Sequence, residues 1–249
     1  MLPIVMIDKT VPNYQKRMDL EKFYNYPCIN CLIDTEEQIK KGNFEGFSEG
    51  DKVWYETYKE EGEELKKVLL KYKPKEIIEI GSGTGRVIQL VLDTLSSTWI
   101  LGTESNQRMF NFVSKRFSNV PNVSVRMIDA SSFLDREENY EMAICLMNTF
   151  GNINDPALFK KIVNRSDIFV FSLYNREFDK KRKKTYEARG HSDFRFDKGT
   201  CYFNDPWVVG MVSRSYTEEE IEELVKDNGG KIVSLKKVGT LYFVVAEKN

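Results

Sequence analysis

The stretch of sequence that decides the fold is residues 76–85, which read Glu76-Ile77-Ile78-Glu79-Ile80-Gly81-Ser82-Gly83-Thr84-Gly85. Its first half is a short run rich in isoleucine, which is typical of a buried β-strand. Its second half has a glycine at every other position, and glycine lets a turn bring its backbone close to a ligand. A helix is predicted to begin near Gly85, with the free N–H groups of its first turn pointing at that ligand. The stretch therefore predicts a strand, a ligand-binding turn and a helix.

On both sides of this stretch, apolar strands alternate with amphipathic helices. One helix is predicted over Asp51–Tyr72, ending before Pro74. Further helices are predicted over Asn106–Phe117 and after Asp155-Pro156, where an N-cap is followed by proline at the first helical position. The later strands are predicted at Thr98–Leu101, Val123–Ile128, Glu141–Leu146 and Asp167–Leu173. This alternation predicts a doubly wound α/β domain with a parallel sheet and helices on both faces.

The end of the chain departs from the parallel pattern. A capping box at Thr217-Glu218-Glu219-Glu220 predicts one more helix. Two strands then follow, Lys231–Val238 and Leu241–Glu247, with only Gly239-Thr240 between them. Because a parallel crossover needs a much longer connection, this pair must form an antiparallel hairpin.

Two common nucleotide-binding motifs do not fit the glycine turn. The dinucleotide fingerprint is G-x-G-x-x-G, whereas the glycines here are at 81, 83 and 85 and position 86 is arginine. The phosphate-binding sequence G-x-x-x-x-G-K-[ST] does not follow the strand either. A nicotinamide oxidoreductase and a P-loop nucleotidase are therefore disfavoured.

The turn resembles the first motif of class I S-adenosylmethionine-dependent methyltransferases, (D/E)-x-G-x-G-x-G, with Glu79 as its acidic member. In that family an acidic residue at the end of the second strand holds the ribose hydroxyls, and Glu104 occupies this position. The end of the third strand contacts the adenine, and Asp129-Ala130 stand there. The resemblance implies a seven-stranded sheet of order 3-2-1-4-5-7-6 and S-adenosyl-L-methionine as cofactor.

The segment after the fourth predicted strand, where this family places the methyl acceptor, is residues 146–152, Leu-Met-Asn-Thr-Phe-Gly-Asn. It lacks the (D/N)-P-P-(Y/F) motif of enzymes that methylate exocyclic amines of nucleic-acid bases. It is similar to the N-(S/T)-(F/L) segment of glycine N-methyltransferase-like enzymes. Lys52-Val53-Trp54-Tyr55 and Tyr174-Asn175-Arg176 resemble two further segments of that group, the second in altered order. The resemblance implies a small-molecule acceptor, an amine or amino-acid-like compound, although residues 56–66 hold no arginine to match the one that binds the methionine carboxylate in that group.

This resemblance also implies the site residues. Cofactor contacts are expected from Trp54, Tyr55, Glu79, Gly81, Ser82, Gly83, Gly85, Glu104, Asp129, Ala130 and Met147. An amine acceptor must be unprotonated before it can attack, so polar groups are expected near it. Those expected nearest are Asn148, Tyr174 and His191. His191 lies in a polar loop, so a surface role is favoured over general-base work.

Residues 176–215 interrupt the alternation and are predicted to form an inserted acceptor-binding subdomain. Short antiparallel strands are predicted at Phe194-Arg195-Phe196, Cys201-Tyr202-Phe203 and Trp207–Val212. The insertion holds ten Lys or Arg and six Asp or Glu among its aromatic residues. That composition keeps open an RNA or tRNA methyltransferase, or a non-catalytic subunit of an RNA-modifying complex, because basic residues neutralise phosphates and aromatic rings stack on bases. The simpler interpretation favoured here is that the run 180–184 is a solvated face.

Composition and charge limit the remaining classes. The chain is expected to divide into an N-terminal lid (1–50), a methyltransferase core (51–175 and 216–249) and the insertion. No apolar run approaches the roughly 20 residues that a bilayer requires, and no signal peptide is recognised, so a cytoplasmic protein is expected. The formal net charge of −1 gives no general attraction to nucleic acid. Cys28 and Cys31 have CxxC spacing, but with no second pair and a single histidine, no metal site is expected.

Overall fold

Strands and helices alternate through most of the chain, as predicted. A computed structural model describes residues 49–134, 138–153, 155–188, 191–205 and 211–249. Most of the predicted N-terminal lid, with Cys28 and Cys31, lies outside these residues. The described helices are α1 (Glu49–Tyr72), α2 (Arg86–Thr94), α3 (Gln107–Arg116), α4 (Ala130–Phe133), α5 (Thr149–Ile153), α6 (Pro156–Arg165), α7 (Asp179–Ala188) and α8 (Glu218–Asp227). The described strands are β1 (Glu76–Ile80), β2 (Trp99–Glu104), β3 (Val123–Met127), β4 (Tyr140–Cys145), β5 (Ser166–Asn175), β6 (Phe194–Asp197), β7 (Thr200–Phe203), β8 (Val212–Tyr216), β9 (Gly230–Val238) and β10 (Leu241–Lys248).

The main sheet has the order β3-β2-β1-β4-β5-β10-β9. Strands β1 to β5 are parallel to one another. The last pair forms the predicted hairpin, with β10 antiparallel to both β5 and β9. With β10 as the seventh core strand and β9 as the sixth, this is the predicted order 3-2-1-4-5-7-6. The doubly wound fold predicted from the sequence is therefore confirmed.

Helices cover both faces of this sheet. On one face, Leu65 and Leu69 of α1 and Ile88 of α2 are fully buried in one apolar cluster. On the other face, Phe159 of α6 and Ile221 of α8 belong to a second cluster. Each such side chain stabilises the fold by roughly 1.5–3 kcal/mol relative to an exposed one. In the part of the chain that the structure describes, no helix is both long and apolar enough to cross a bilayer.

The insertion joins the sheet where β4 has ended. Strands β6, β7 and β8 form an antiparallel ladder, and β8 also pairs in parallel with Tyr174 and Asn175 of β5. Strand β10 already pairs with β5 at Tyr174, so β8 must use the other edge of β5, beyond the last β4 pair at Phe171. The insertion therefore begins beside the loop that follows β4.

Most of the predicted third strand of the insertion, Trp207–Val212, lies outside the described residues. Strand β8 runs from Val212 to Tyr216, Met211 lies outside it, and residues 206–210 are not described. Buried Ser213 and Ser215 give β8 a polar sequence, so the apolar pattern used for prediction did not identify it. A helix, α7, precedes the ladder and was not predicted as a separate element.

Candidate functional site

The turn between β1 and α2 has positive φ at all three of its glycines. These φ angles are +75° at Gly81, +53° at Gly83 and +80° at Gly85. A Cβ atom at Gly81 would lie 2.5 Å from the Thr149 Cγ2 atom, and one at Gly85 would overlap the ring of Phe117. A Cβ atom at Gly83 would meet no atom of the described residues within 4 Å. Gly81 and Gly85 are thus needed for packing, whereas Gly83 turns its backbone toward open space.

The carboxylate of Glu104, at the end of β2, contacts this turn. Its Oε2 atom accepts a 2.8 Å hydrogen bond from the Gly83 N–H, and its Oε1 atom accepts one of 2.8 Å from the Asn106 N–H. The side chain is only 8% exposed. Burial raises the pKa of the Glu104 carboxyl above its usual value, and the backbone hydrogen bonds oppose that shift. The structure therefore brings together Glu104 and Gly83, two of the residues expected to contact the cofactor.

Asn106 adds a hydrogen-bond donor beside Glu104. Its Oδ1 atom accepts from the N–H groups of Arg108 and Met109 and so caps α3. Its Nδ2 atom is buried and has no hydrogen-bond partner among the described residues. A buried donor without a partner is costly, and a ligand that accepts from it would remove the cost. Sequence analysis missed Asn106, although its place two residues after Glu104 could have identified it.

Glu79 and Ser82, both predicted cofactor contacts, are buried beside the same turn. The backbone carbonyl of Glu79 accepts a hydrogen bond from the Thr103 hydroxyl. The Ser82 hydroxyl lies against Gly102 of β2, where a Cβ atom would overlap it. Ser82 therefore packs between β1 and β2.

Asp129 and Ala130 follow β3 at the same edge of the sheet. The Asp129 carboxylate accepts from the N–H groups of Ser131 and Ser132, at 3.0 and 3.2 Å, and so caps α4. Ala130 is the first residue of α4 and is buried. The capping role of Asp129 was not predicted. This role places the carboxylate at the carboxyl edge of the sheet, next to the end of β2.

The loop after β4 has an unusual backbone. Met147 and Asn148 both have positive φ, +54° and +58°. Such a conformation is uncommon for residues other than glycine and costs of order 1–3 kcal/mol unless surrounding contacts compensate. The Asn148 side chain supplies one of these contacts, because its Oδ1 atom accepts a 3.0 Å hydrogen bond from the Tyr174 N–H. Asn148 is fully buried, and its Nδ2 atom donates to Asn152 at 3.1 Å.

Glu61, on α1, is a polar residue of the site that sequence analysis missed. It is fully buried, and its carboxylate accepts hydrogen bonds from Arg86, Ser172 and Met147. Glu61 lies in a run of charged residues, a pattern typical of a solvated face. The missed signal was its spacing, because it lies four residues after buried Thr57 and four before buried Leu65.

The run 180–184 is not a uniformly solvated face. Its four lysines are exposed, but Arg182 is only 5% exposed and points into the insertion. Its guanidinium lies 4.6 Å from the ring centroid of Tyr174 and donates to the Ser213 carbonyl at 2.7 Å. Arg182 thus fastens α7 over the end of β5, where Tyr174 is also buried.

The expectation that His191 has a surface role was wrong. His191 is 5% exposed, and its Nδ1 atom is 3.1 Å from the Oδ2 atom of Asp205. The ring packs against Phe203 and Tyr186, with centroid distances of 4.6 and 5.9 Å. The polar loop sequence concealed this burial because the residues that cover His191 come from other parts of the insertion.

The ionisation of Asp205 favours its pairing with His191. Burial opposes the charged form, but the N–H groups of Ser192 and Asp193 and the His191 ring together lower the pKa of Asp205 below its usual value. An anionic partner at Nδ1 orients the imidazole ring and favours the tautomer that carries its proton on Nδ1.

The structure thus gathers the predicted residues into two groups. Gly81, Gly83, Glu104 and Asp129 lie at the ends of β1, β2 and β3, whereas Met147, Asn148 and Tyr174 lie at the ends of β4 and β5. In open α/β sheets, this carboxyl edge is where ligands bind. Trp54 and Tyr55 belong to α1, but their side chains are outside the described structure.

Comparison with known proteins agrees on the fold. No protein-family model and no curated protein sequence matches the chain. Among solved structures, an S-adenosylmethionine-dependent methyltransferase from Clostridium acetobutylicum is similar, with a TM-score of 0.61, 13% identity, and coverage of 89% of this chain and 99% of the other. Magnesium protoporphyrin IX methyltransferase from Synechocystis, with bound S-adenosylmethionine, gives a TM-score of 0.61, 11% identity, and coverage of 98% and 100%.

A third similar structure is a putative S-adenosylmethionine-dependent methyltransferase from Listeria monocytogenes. Its TM-score is 0.56 at 18% identity, covering 77% of this chain and 99% of the other. At such low identities the shared property is the backbone architecture. The chain therefore has the fold of the class I S-adenosylmethionine-dependent methyltransferases.

Proposed function

We propose that this protein transfers a methyl group from S-adenosylmethionine to a small-molecule acceptor at the carboxyl edge of the sheet. The observation that carries the proposal is the arrangement at Gly83, Glu104 and Asn106. An open backbone, a buried carboxylate and a buried amide donor without a partner among the described residues lie side by side. A vicinal diol can donate to the carboxylate and accept from the amide, which fits the ribose of the cofactor.

The similar structures support the choice of cofactor. The Synechocystis enzyme was crystallised with S-adenosylmethionine and also with S-adenosylhomocysteine. The cofactor supplies an activated methyl group on a sulfonium, so the protein has to position the acceptor in line with it and exclude water.

The acceptor that we propose is an amine or amino-acid-like compound. The segment that starts at Asn148 is similar to that of glycine N-methyltransferase-like enzymes, and the insertion covers the end of β5 beside it. Asn148 would act by positioning, since its amide holds the Tyr174 N–H and the loop conformation. His191, oriented by Asp205, would accept the proton that an ammonium group must lose before its nitrogen can attack.

A second candidate is methylation of RNA, either by this chain or by a complex in which it is a non-catalytic subunit. The observation in its favour is the exposure of Lys180, Lys181, Lys183 and Lys184 on one helix. Exposed lysines bind phosphates without regard to sequence, but most charge runs are simply solvated.

Two measurements test the proposed function. Calorimetry with S-adenosylmethionine, S-adenosylhomocysteine and NADH should give binding for the first two, and preferential binding of NADH would overturn the cofactor assignment. Labelled methyl transfer to separate pools of amines, amino acids, carboxylic acids and RNA then identifies the acceptor class. Transfer to RNA alone would replace the small-molecule proposal with the second candidate.

A further inference from the structure

We infer that Glu61 is a positioning residue that couples the cofactor turn to the loop after β4. This inference rests on the proposed function, because it assigns the two loops to cofactor and acceptor. Glu61 lies on α1, outside both loops, and is 0% exposed. A buried carboxylate is tolerated only where donors satisfy it, so its partners indicate what it holds in place.

The two oxygens of Glu61 serve the two sides of the site. Its Oε2 atom accepts from the guanidinium of Arg86, the first residue of α2 and the one directly after Gly85. Its Oε1 atom accepts from the Ser172 hydroxyl of β5 at 2.5 Å and from the Met147 N–H at 3.1 Å. One rigid carboxylate group therefore joins the end of the cofactor turn to the ends of β4 and β5.

The acceptor side of this network holds a strained conformation. The Met147 N–H also donates to the Ser172 hydroxyl at 2.7 Å, so Ser172 passes hydrogen bonds between the loop and Glu61. Met147 has a φ of +54°, which persists only where surrounding contacts compensate for its cost. Glu61 and Ser172 supply two of these contacts.

The cofactor side is held by α1 as well. The Arg86 guanidinium lies 4.7 Å from the ring centroid of Tyr58, one turn before Glu61 on α1. Charge-assisted hydrogen bonding and ring packing together fix both the position and the plane of Arg86. Helix α1 thus positions the start of α2, and with it the last glycine of the turn.

The chemistry explains why such coupling would matter. In-line transfer requires the methyl carbon and the attacking atom to approach at contact distance and aligned, and misplacement by about 1 Å can cost about 100-fold in rate. Cofactor and acceptor are proposed to bind on separate loops, so their relative placement depends on groups that contact both loops. Glu61 does this through hydrogen bonds, and Thr149, which packs against Gly81, provides a second contact.

The test measures whether a substitution at Ser172 changes the cofactor turn in the full-length protein. Ser172→Ala removes one hydroxyl and keeps both charges, and its path of hydrogen bonds to Arg86 runs through Glu61. We expect the amide resonances of Gly83 and Gly85 to shift in Ser172→Ala, and the affinity for S-adenosylhomocysteine to change by about 2- to 30-fold. Both effects should disappear when Ser172→Ala is made in a Glu61→Gln background, because that background breaks the path from Ser172 to Arg86. The remaining contact, Thr149 against Gly81, is the same with and without Ser172→Ala.

Two control variants match this design. Ser166→Ala removes another buried serine hydroxyl from β5, one that donates to the Ile162 carbonyl, and it should leave the Gly83 amide unchanged. Glu64→Gln makes the same chemical change as Glu61→Gln one turn later on α1, where Glu64 pairs with Lys67 and Lys236, and it should preserve the effect of Ser172→Ala.

Each outcome decides the inference. An unshifted turn in Ser172→Ala, or a shift that persists in the Glu61→Gln background, would overturn it. If Glu61→Gln does not fold, the comparison of Ser172→Ala with Ser166→Ala still decides, because equal shifts at Gly83 would contradict the coupling. Failure of the unaltered protein to bind S-adenosylhomocysteine would refute the proposed function, whereas the resonance shifts would still test Glu61.

Discussion

The two halves of the sheet's carboxyl edge are held in place in different ways. At the ends of β1 and β2, the geometry comes from backbone conformation, with positive φ at Gly81, Gly83 and Gly85, and from a carboxylate that contacts backbone N–H groups. At the ends of β4 and β5, side chains from distant parts of the chain hold the loop, as when Asn148 bonds Tyr174. The half proposed to bind the cofactor, the cofactor half, is thus shaped mainly by its glycine backbone. The half proposed to bind the acceptor, the acceptor half, is shaped mainly by buried side chains.

This difference predicts how each half responds to substitution. Backbone geometry set by glycine is lost when a side chain is added, even where the substitution is small. Geometry set by buried polar side chains is lost when a partner is removed, because the remaining donor or acceptor stays buried and unsatisfied. Added side chains should therefore be most harmful in the cofactor half, and removed side chains in the acceptor half.

The largest expected effect is in the cofactor half, and it separates two glycines of one turn. Gly85→Ala should destabilise the protein by about 2–5 kcal/mol, from strain at positive φ and overlap with Phe117 and Val113. Gly83→Ala should cost only about 1–2 kcal/mol, because no atom of the described residues lies within 4 Å of its Cβ position. Urea unfolding of the cofactor-free protein measures both, and equal losses would contradict the packing role assigned to Gly85.

The next effect tests the acceptor half. Asn148→Ala should cost about 1–3 kcal/mol by leaving the buried Tyr174 N–H without its acceptor, with further strain because φ is +58°. Asn148→Gly removes the same side chain without that strain and should therefore be less destabilising. Thermal and urea unfolding of the two variants separate the hydrogen bond from the backbone cost. If both variants kept the parent's stability, Asn148 would not be holding the loop.

The same difference explains how much could be predicted from the sequence. The strand order and the place of Glu104 in the site were implied by the resemblance to class I methyltransferases. The alternation of strands and helices, the final hairpin and the glycine turn were predictable from the residues themselves, because strand periodicity and glycine spacing are local patterns. The roles of Glu61 and His191 were not. Glu61 bonds Ser172 and His191 bonds Asp205, each more than ten positions away, so the neighbouring charged or polar sequence gave no sign of this burial.

Strand β8 shows the same limit within the fold. Its Ser213 and Ser215 are buried because Arg182 and Gly199 contact them, and these contacts cannot be read from an apolar pattern. The Ser213 hydroxyl accepts a hydrogen bond from Arg182, and the Ser215 hydroxyl donates one to the Gly199 carbonyl, so each buried serine has a partner. Helix α7 was obscured similarly, since its five-residue basic run includes one inward-facing member.

A third prediction uses ionisation to test the cofactor half. Glu104→Gln should weaken S-adenosylmethionine binding by about 1.5–3 kcal/mol, the usual range for hydrogen bonds to a charged group. Because burial raises the pKa of Glu104, the parent's affinity should increase as pH rises through that folded-state pKa and the carboxylate ionises. Calorimetry across pH should show this increase in the parent and not in Glu104→Gln.

The same shift has an opposite consequence for the cofactor-free protein. A carboxyl whose pKa is higher when folded binds more protons in the folded state, so its contribution to stability falls as pH rises from the usual value of 4.5 through the folded value. Glu104→Gln should remove that decline. A parent whose stability did not depend on Glu104 in this range would show that the carboxylate is not buried in solution.

The smallest expected effect concerns the exposed face of α7, and it distinguishes the two candidate acceptors. Changing Lys180, Lys181, Lys183 and Lys184 together to glutamine should alter stability by less than about 0.5 kcal/mol per residue, because these side chains are exposed. Turnover of a small molecule should hardly change, since the buried Arg182 that fastens α7 is kept. A phosphate-binding face would behave differently. Each lost phosphate contact reduces the steepness of the plot of log binding constant against log salt concentration by about 0.7.

A matched control removes the same charge from Lys59, Lys66, Lys71 and Lys73, in or just after α1. Loss of methyl transfer in the α7 variant but not in this control would favour RNA as the acceptor and make the insertion its binding surface.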